Sequence, residues 1–284
     1  MANLRDIRRR IRSVRNTQQI TRAMKMVAAA KLRRAQDRVH AARPYAAALE
    51  EVLGSLVTRI DPAHYPMLRE PREMKKVIVI VLSGERGLCG SFNSNTFRAV
   101  EHFYANHPEW HSEMILVGKK SRDYFKHHPH PILKSYDGVF GDLKPEHAKA
   151  IAEDVVAPFE RGEIQGVYIV YNEFVSMSVQ RVTERRILPI DPGEFSGGHG
   201  VEYLYEPDEV SILNDLLPRY VQFQIWRILS ESAASEHAAR MTAMEGATRN
   251  AEEMIDSLTL VYNRTRQAAI TKELIEIVSG SQAG

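Results

Sequence analysis

The sequence has little cysteine and no long apolar run. Cys89 is the only cysteine in 284 residues, so no internal disulfide can form, and this composition fits a reducing compartment. The longest strongly apolar run is VIVIVL, residues 77–82, which is far shorter than the roughly 20 residues that span a bilayer. The N-terminus is rich in arginine but lacks an apolar core followed by a small-residue cleavage site, so it does not match a secretory signal.

Patterns typical of catalysis are also missing. Gly84, Gly87 and Gly90 follow a predicted strand, but they match neither G-x-G-x-x-G nor G-x-x-x-x-G-K-[ST]. We therefore interpret this loop as a tight strand-to-helix turn rather than a phosphate cradle. Carboxylates such as Glu173 and Glu184 show no spacing that pairs them for acid–base chemistry. The sequence predicts no catalytic residue, no cofactor and no enzyme activity in the chain itself.

Cysteine and histidine each allow a functional and a structural interpretation. Cys89 could be reactive beside a helix N-terminus, but free cysteine is usually buried, so a small buried residue is favoured. His127, His128 and His130 could bind a metal ion. Two prolines interrupt this histidine tract, so a surface loop is favoured and no metal site is predicted.

Charge is unevenly distributed along the chain, although the net charge is only +2. Residues 1–43 contain eleven arginines and two lysines against two aspartates, a net charge of +11, whereas residues 209–284 contain ten acidic and seven basic residues, a net charge of −3. The two ends of the chain are thus suited to pair with each other. A basic helix could equally bind nucleic acid phosphates, and the residues alone do not decide between these alternatives.

Both ends of the chain have helical periodicity. Apolar residues in the segment 1–60 step by three and four, with a phase slip near Ile20, which predicts a coiled-coil helix with a stutter. Pro44 is expected to kink this helix or to mark a join. In the segment 209–284, apolar residues step by three and four from Met241 onward. A second phase slip precedes the last apolar residues of this pattern, Ile270, Leu274 and Ile277.

The middle segment, residues 75–190, alternates strands and helices. Its pattern is typical of an α/β layer with a mostly parallel sheet. The predicted fold is α/β plus long α: an antiparallel two-helix coiled coil formed by the N- and C-terminal helices, with an inserted Rossmann-like α/β domain. We expect a rod with a globular foot, in which the last turns of the longer C-terminal helix project beyond their partner.

Four motifs occur in an order that resembles a known family. They are NTQQITRAMKMVAAAKLRRAQ near the start, GERGLCGSFN after the first strand, YLYEPD at 203–208 and LVYNRTRQAAITKELIEIVSG at the end. Across essentially its whole length the chain resembles the gamma subunit, or central stalk, of bacterial F-type ATP synthases. The glycine loop departs from the family pattern, because Glu85 stands where aspartate is usual and Ser91-Phe92 replace a glycine and an aliphatic residue. The extra segment with paired cysteines of the chloroplast relatives is missing.

The resemblance implies a rotor shaft that couples proton flow to ATP synthesis or hydrolysis. The implied partners are the hexamer of alpha and beta subunits, the epsilon subunit and the membrane ring of c subunits, with one copy of this chain per complex and no nucleic acid. The implied location is the cytoplasmic face of the bacterial cell membrane, as a peripheral protein. Two other classes stay as alternatives, a basic coiled-coil nucleic-acid binder and a dinucleotide-binding enzyme.

The resemblance also implies two contact regions. The residues expected to contact the beta subunit are Met24, Lys25, Arg266, Gln267, Thr271 and Glu273, with Met24 at a similar height to Arg266. The residues expected to lie against the c-ring and near epsilon are Tyr205, Glu206 and Asp208. Asp208 has a second interpretation as the cap of the following helix.

Overall fold

A computed structural model describes residues 4–195 and 208–282 of the chain. Its helices are α1 Leu4–Val57, α2 Phe92–Asn106, α3 Lys119–Phe125, α4 Pro145–Glu160 and α5 Glu209–Gln282. Its strands are β1 Lys76–Leu82, β2 His111–Val117, β3 Ile132–Tyr136, β4 Gly166–Phe174 and β5 Gln180–Leu188. The chain forms two compact units. One contains α1 up to Ala28 together with α5 from Arg240 onward, and the other contains residues 29–239. Because this division cuts both long helices, the three predicted segments stay a prediction.

The strands form one five-stranded sheet in the order β3-β2-β1-β4-β5. Strands β1, β2, β3 and β4 are parallel, and β5 pairs antiparallel with β4 as a hairpin. Strand β1 lies at the centre, and its sequence is apolar from Val77 to Leu82 because helices cover both faces. The predicted mostly parallel α/β sheet is confirmed.

The two faces of the sheet belong to two separate cores. Ile78, Ile80 and Leu82 of β1 join a large core that includes α4 and the adjoining parts of α1 and α5. The alternate residues Val77 and Val79 face a second core, built with α2 and α3. This alternation follows from the two-residue repeat of a strand. One face of the sheet thereby packs against those parts of α1 and α5 that lie within residues 29–239.

Strand β3 is absent from the sequence-based prediction, which placed only a loop between α3 and α4. It is an edge strand, and the side chains from Ile132 to Ser135 are exposed. An edge strand with little burial has no need of an alternating apolar pattern, so periodicity gave no signal for it.

The glycine loop after β1 is a tight turn, as the sequence predicted. The Gly84 N–H donates to the Asn93 side chain at 2.8 Å, and the Glu85 carboxylate accepts the Lys119 N–H at 3.1 Å. Cys89 is 2% exposed, so its prediction as a buried residue is confirmed. The loop therefore bonds to α2 through its backbone and to α3 through the Glu85 side chain.

Helix α1 passes through Pro44 and remains one helix from Leu4 to Val57. Of the two predicted outcomes, a join at Pro44 is excluded, whereas a kink within the helix stays a prediction. Proline removes one backbone hydrogen bond from a helix, but the following turns are held by Leu49 and Leu53, which are buried in the large core. Tertiary packing has overridden the local signal.

Glu231 of α5 is a largely buried carboxylate. It accepts the Phe174 N–H at 3.2 Å. Burial raises its pKa above the ordinary value, the nearby Glu173 adds to this, and the Phe174 N–H, Arg227 and Arg185 oppose it. The carboxyl group of Glu231 therefore holds its proton more tightly in the folded state than in the unfolded chain.

We expect Glu231→Gln to raise stability at neutral pH by an amount equivalent to about 1–2 °C in Tm. Because the folded-state pKa is raised, the wild type loses stability as pH rises from about 4.3, the ordinary glutamate pKa, through the folded-state value. The variant should lack this loss. Thermal unfolding of both proteins across that pH range measures it, and parallel curves for the two proteins would contradict the assignment.

Candidate functional site

Within the unit formed by residues up to 28 and from 240, α1 and α5 pair side by side. Lys25 Nζ lies 2.9 Å from Glu245 Oε1, and the Thr21 and Thr248 hydroxyls are 2.8 Å apart. Arg8 donates to the Tyr262 hydroxyl at 2.6 Å. Residue numbers fall along α1 as they rise along α5, so the predicted antiparallel pairing is confirmed in this unit.

The seam of α1 has no stutter. Between Val14 and Ala28 the inward positions are taken by Gln18, Thr21 and Lys25, which keep the alternating three- and four-residue steps. Ile20 is 59% exposed and lies outside the seam. The predicted phase slip is wrong, because the heptad continues through polar residues that an apolar pattern does not register.

The contact register places Met24 and Arg266 at different heights. Met24 lies beside Lys25, which contacts Glu245, whereas Arg266 is one turn beyond Tyr262, the partner of Arg8. At about 1.5 Å per residue, the 21 residues between the two levels correspond to roughly 30 Å. The expectation that Met24 and Arg266 share one height is wrong, and the predicted coupling residues form two separate levels.

The end of α5 extends past residue 4 of α1, the first residue described in that helix. Since Tyr262 lies opposite Arg8, the turns that follow residue 266 have no described α1 residue beside them. Their apolar side chains are between 49% and 68% exposed, namely Ile270, Leu274, Ile275 and Ile277. This group, which we call the tip surface, contains Ile270, Leu274 and Ile277 of the predicted seam.

The predicted polar contact residues lie on the same part of α5. Arg266, Gln267, Thr271 and Glu273 are all exposed. With 3.6 residues per turn, Arg266 and Glu273 are nearly two turns apart and share a face, and Gln267 and Thr271 share the adjoining face. Long donors and a carboxylate thus border the apolar tip surface, an arrangement suited to a protein partner.

The basic residues of α1 remain largely available for a partner. Arg10, Arg12, Arg15 and Arg22 are exposed, and the described residues place no carboxylate within ion-pair distance of them. Lys25 differs, because it is half-buried and paired with Glu245 inside the chain. To contact a partner as predicted, Lys25 must either bind the partner and Glu245 together or give up its ion pair with Glu245.

Of the second predicted contact region, only Asp208 lies within the described residues; Tyr205 and Glu206 lie outside them. The Asp208 carboxylate accepts the Ser211 N–H at 2.8 Å and the Ser211 hydroxyl at 2.7 Å. These bonds hold the pKa of Asp208 below its ordinary value. Asp208 therefore caps the N-terminus of α5, which confirms the structural interpretation of this residue.

The part of the chain that the structure describes offers few other sites. Across residues 4–195 and 208–282, no group of three or more His, Cys, Asp or Glu side chains is arranged to hold a metal ion. The His130 ring stacks on Tyr104 with centroids 3.7 Å apart. In the same ranges, every helix is too short or too polar to cross a bilayer.

Comparison with known proteins gives one consistent result. A family model described as ATP synthase matches residues 3–283. The ATP synthase gamma chain of Anaeromyxobacter dehalogenans is 49% identical, with 100% of both chains covered. That of Prosthecochloris aestuarii is 46% identical, with 100% of this chain and 99% of the relative covered.

Solved structures share the fold. A chain of the central stalk and c-ring of Tetrahymena thermophila mitochondrial ATP synthase gives a TM-score of 0.62 at 25% identity, covering 80% of this chain and 99% of that chain. A chain of the Euglena gracilis mitochondrial ATP synthase gives a TM-score of 0.69 at 21% identity, covering 99% of this chain and 94% of that chain.

Proposed function

The chain belongs to the ATP synthase gamma-chain family, and on that basis we propose that it is the rotor shaft of an F-type ATP synthase. It is a non-catalytic subunit of the complex. The observation that carries this proposal is the 49% identity to a gamma chain over the full length of both proteins. Nothing among the relatives favours the nucleic-acid-binding or dinucleotide-binding alternatives.

The coiled coil is the part that couples the shaft to the catalytic subunits. We propose that the tip surface and the bordering residues Arg266, Gln267, Thr271 and Glu273 contact the ring of alpha and beta subunits. Their exposure supports this, because apolar side chains left without an intramolecular partner mark an interaction surface. Met24 and Lys25 would contact the same ring roughly 30 Å away along the axis.

The residue types on α1 suit a shaft that turns. The exposed Met26 and the small residues Ala29 and Ala30 offer contact with little directional bonding. The exposed arginines attract acidic surfaces at long range, so the attraction can pass from one catalytic subunit to the next. A shaft of this kind does not lock into one orientation, and its angle carries the coupling free energy between the distant sites.

A second contact region would connect the chain to the membrane. Tyr205, Glu206 and Asp208 are proposed to lie against the c-ring and near the epsilon subunit, with Asp208 also capping α5. The complex would hold one copy of this chain at the cytoplasmic face of the bacterial cell membrane. Absence of c subunits from the complex purified through this chain would contradict that connection.

Met24→Lys should uncouple the complex more than it impairs assembly. Met24 is half-buried beside the Lys25–Glu245 pair, so a second ammonium group there repels Lys25 and seeks a new carboxylate on a partner. A contact made with one catalytic subunit would hold the shaft at that angle. The measurement is proton pumping per ATP hydrolysed in inverted membrane vesicles, which should fall.

Met24→Leu is the matched control, because it keeps an apolar side chain of similar size at the same position. It should leave both assembly and pumping near the wild-type level. Normal pumping per ATP in Met24→Lys, with normal amounts of complex, would remove Met24 from the coupling surface.

A further inference from the structure

A cleft of 580 Å³ opens inside the unit formed by residues 29–239, between α1, α5 and the β4–β5 hairpin. Its volume lies within the range of small-molecule sites. Four aromatic side chains line it, namely Tyr171, Phe174, Phe223 and Trp226. None of the residues proposed for coupling or for the c-ring contact lines this cleft, so it is a separate feature of the protein.

Polar atoms in the wall of the cleft lack partners. Ser230 is 2% exposed, and its hydroxyl has no hydrogen-bond partner among the described residues. The Nε atom of Arg227 is buried and is also unpaired within those residues. Buried polar groups are nearly always hydrogen-bonded, because leaving one unpaired costs free energy. Arg227 and Ser230 lie three residues apart on α5 and both line the cleft, so a ligand that supplies acceptor atoms there would pair these donors.

The charges around the cleft also favour an anion. Arg185 already forms an ion pair with Glu194, and Glu173 already forms one with Arg181. Arg43 and Arg227 have no carboxylate within ion-pair distance among the described residues. Two guanidinium groups therefore remain to bind a carboxylate, sulfonate or phosphate group.

Two acidic groups limit this positive charge. Glu50 lines the cleft on the α1 side. Glu231 lines it on the α5 side, accepts the Phe174 N–H at 3.2 Å and lies near Arg227. The Phe174 N–H thus already occupies the Glu231 carboxylate, whereas Arg43 and Arg227 have no ion-pair partner among the described residues.

We propose that this cleft binds a small organic anion with a flat apolar body. The acidic group lies against Arg43 and Arg227 and accepts the Ser230 hydroxyl proton in a hydrogen bond. The apolar body lies among the aromatic rings of Phe223, Trp226 and Tyr171, where ring stacking and burial hold it. The gamma chain would thus carry a ligand site beside α1 and α5, within the unit that contains the sheet.

The test is a fluorescence titration of the full-length chain with anilinonaphthalene sulfonate, an aromatic anion that brightens in apolar sites. We expect one saturable site. Arg227→Gln should weaken binding by about tenfold or more, because it removes a charge-assisted bond. Ala47→Trp, which fills the cleft from an exposed position on α1, should abolish it, and Glu231→Gln should tighten it.

Controls separate the cleft from general stickiness. Arg34→Gln removes an exposed arginine of α1 that does not line the cleft, and it should bind like the wild type. The uncharged N-phenylnaphthylamine should bind about tenfold more weakly than the sulfonate, because it lacks the group that the arginines hold. If Arg227→Gln does not fold by circular dichroism, Arg43→Gln tests the charge from the exposed rim.

Three results would overturn the proposal. They are the absence of saturable sulfonate binding, equal binding of the neutral probe, and unchanged binding in both the arginine variant and Ala47→Trp. Each refers to the isolated chain, so none depends on whether the protein turns inside an ATP synthase.

Discussion

Gly118→Ala should leave almost no folded protein. Gly118 follows β2 with φ +96°, a conformation that side-chain-bearing residues rarely adopt. A Cβ atom there would lie 2.1 Å from the Ser83 carbonyl oxygen, which is backbone and cannot turn aside. Ser83 also receives the Ser121 N–H on its hydroxyl at 2.7 Å, so any shift breaks the junction between β1 and α3.

The expected cost exceeds about 4 kcal/mol, a large share of the stability of an ordinary domain. Gly87→Ala is the matched control, since a Cβ at Gly87 has no heavy atom within 4 Å. It should change the free energy of unfolding by less than about 1 kcal/mol. Soluble expression and urea unfolding measure both variants, and a well-folded Gly118→Ala protein would show that the junction between β1 and α3 is described wrongly.

Arg266→Leu and Gln267→Leu should each lower ATP hydrolysis by the assembled complex by about tenfold or more, equivalent to about 1.4 kcal/mol of lost coupling. Both side chains are exposed on the end of α5 and make no contact that stabilises the fold in the described residues. Their long donors are suited to acidic groups on a catalytic subunit. The stability of the isolated chain should therefore stay unchanged.

Lys272→Leu is the control for this pair. It removes a cation from the same turns of α5, but six residues after Arg266 its side chain points away from the face that carries Arg266 and Gln267. Activity and complex yield should stay near wild type. Equal losses in all three variants would mean that the whole helix end matters and that these two residues have no special role.

The fold was largely predictable from periodicity. The apolar run of β1 and the three- and four-residue steps of the long helices are strong signals, since both follow from burying one kind of surface. Strand β3 was missed because its side chains from Ile132 to Ser135 are exposed and carry no alternating apolar pattern.

The contact surface was predictable in its residues but not in its geometry. The register of the two helices depends on contacts between distant residues, such as Thr21 with Thr248, and apolar spacing does not contain that information. Because the register was not predictable, the expectation that Met24 lies at the same height as Arg266 was wrong. The end of α5 was correctly expected to project, because the helix was seen to be longer than its partner.

The cleft beside α5 could not have been found from sequence. Arg43, Arg227 and Ser230 are far apart in the chain or lie among ordinary helix residues, and no spacing rule joins them. Their significance comes from which polar atoms the fold leaves unpaired, and that depends on side-chain packing.

The most direct test of the rotor account is the native mass of the complex that a tagged version of this chain extracts from solubilised membranes. The account predicts one copy of this chain with three copies each of two ATPase subunits, together with c subunits. Recovery of the chain alone, with nucleic acid, or in several copies per complex would contradict it.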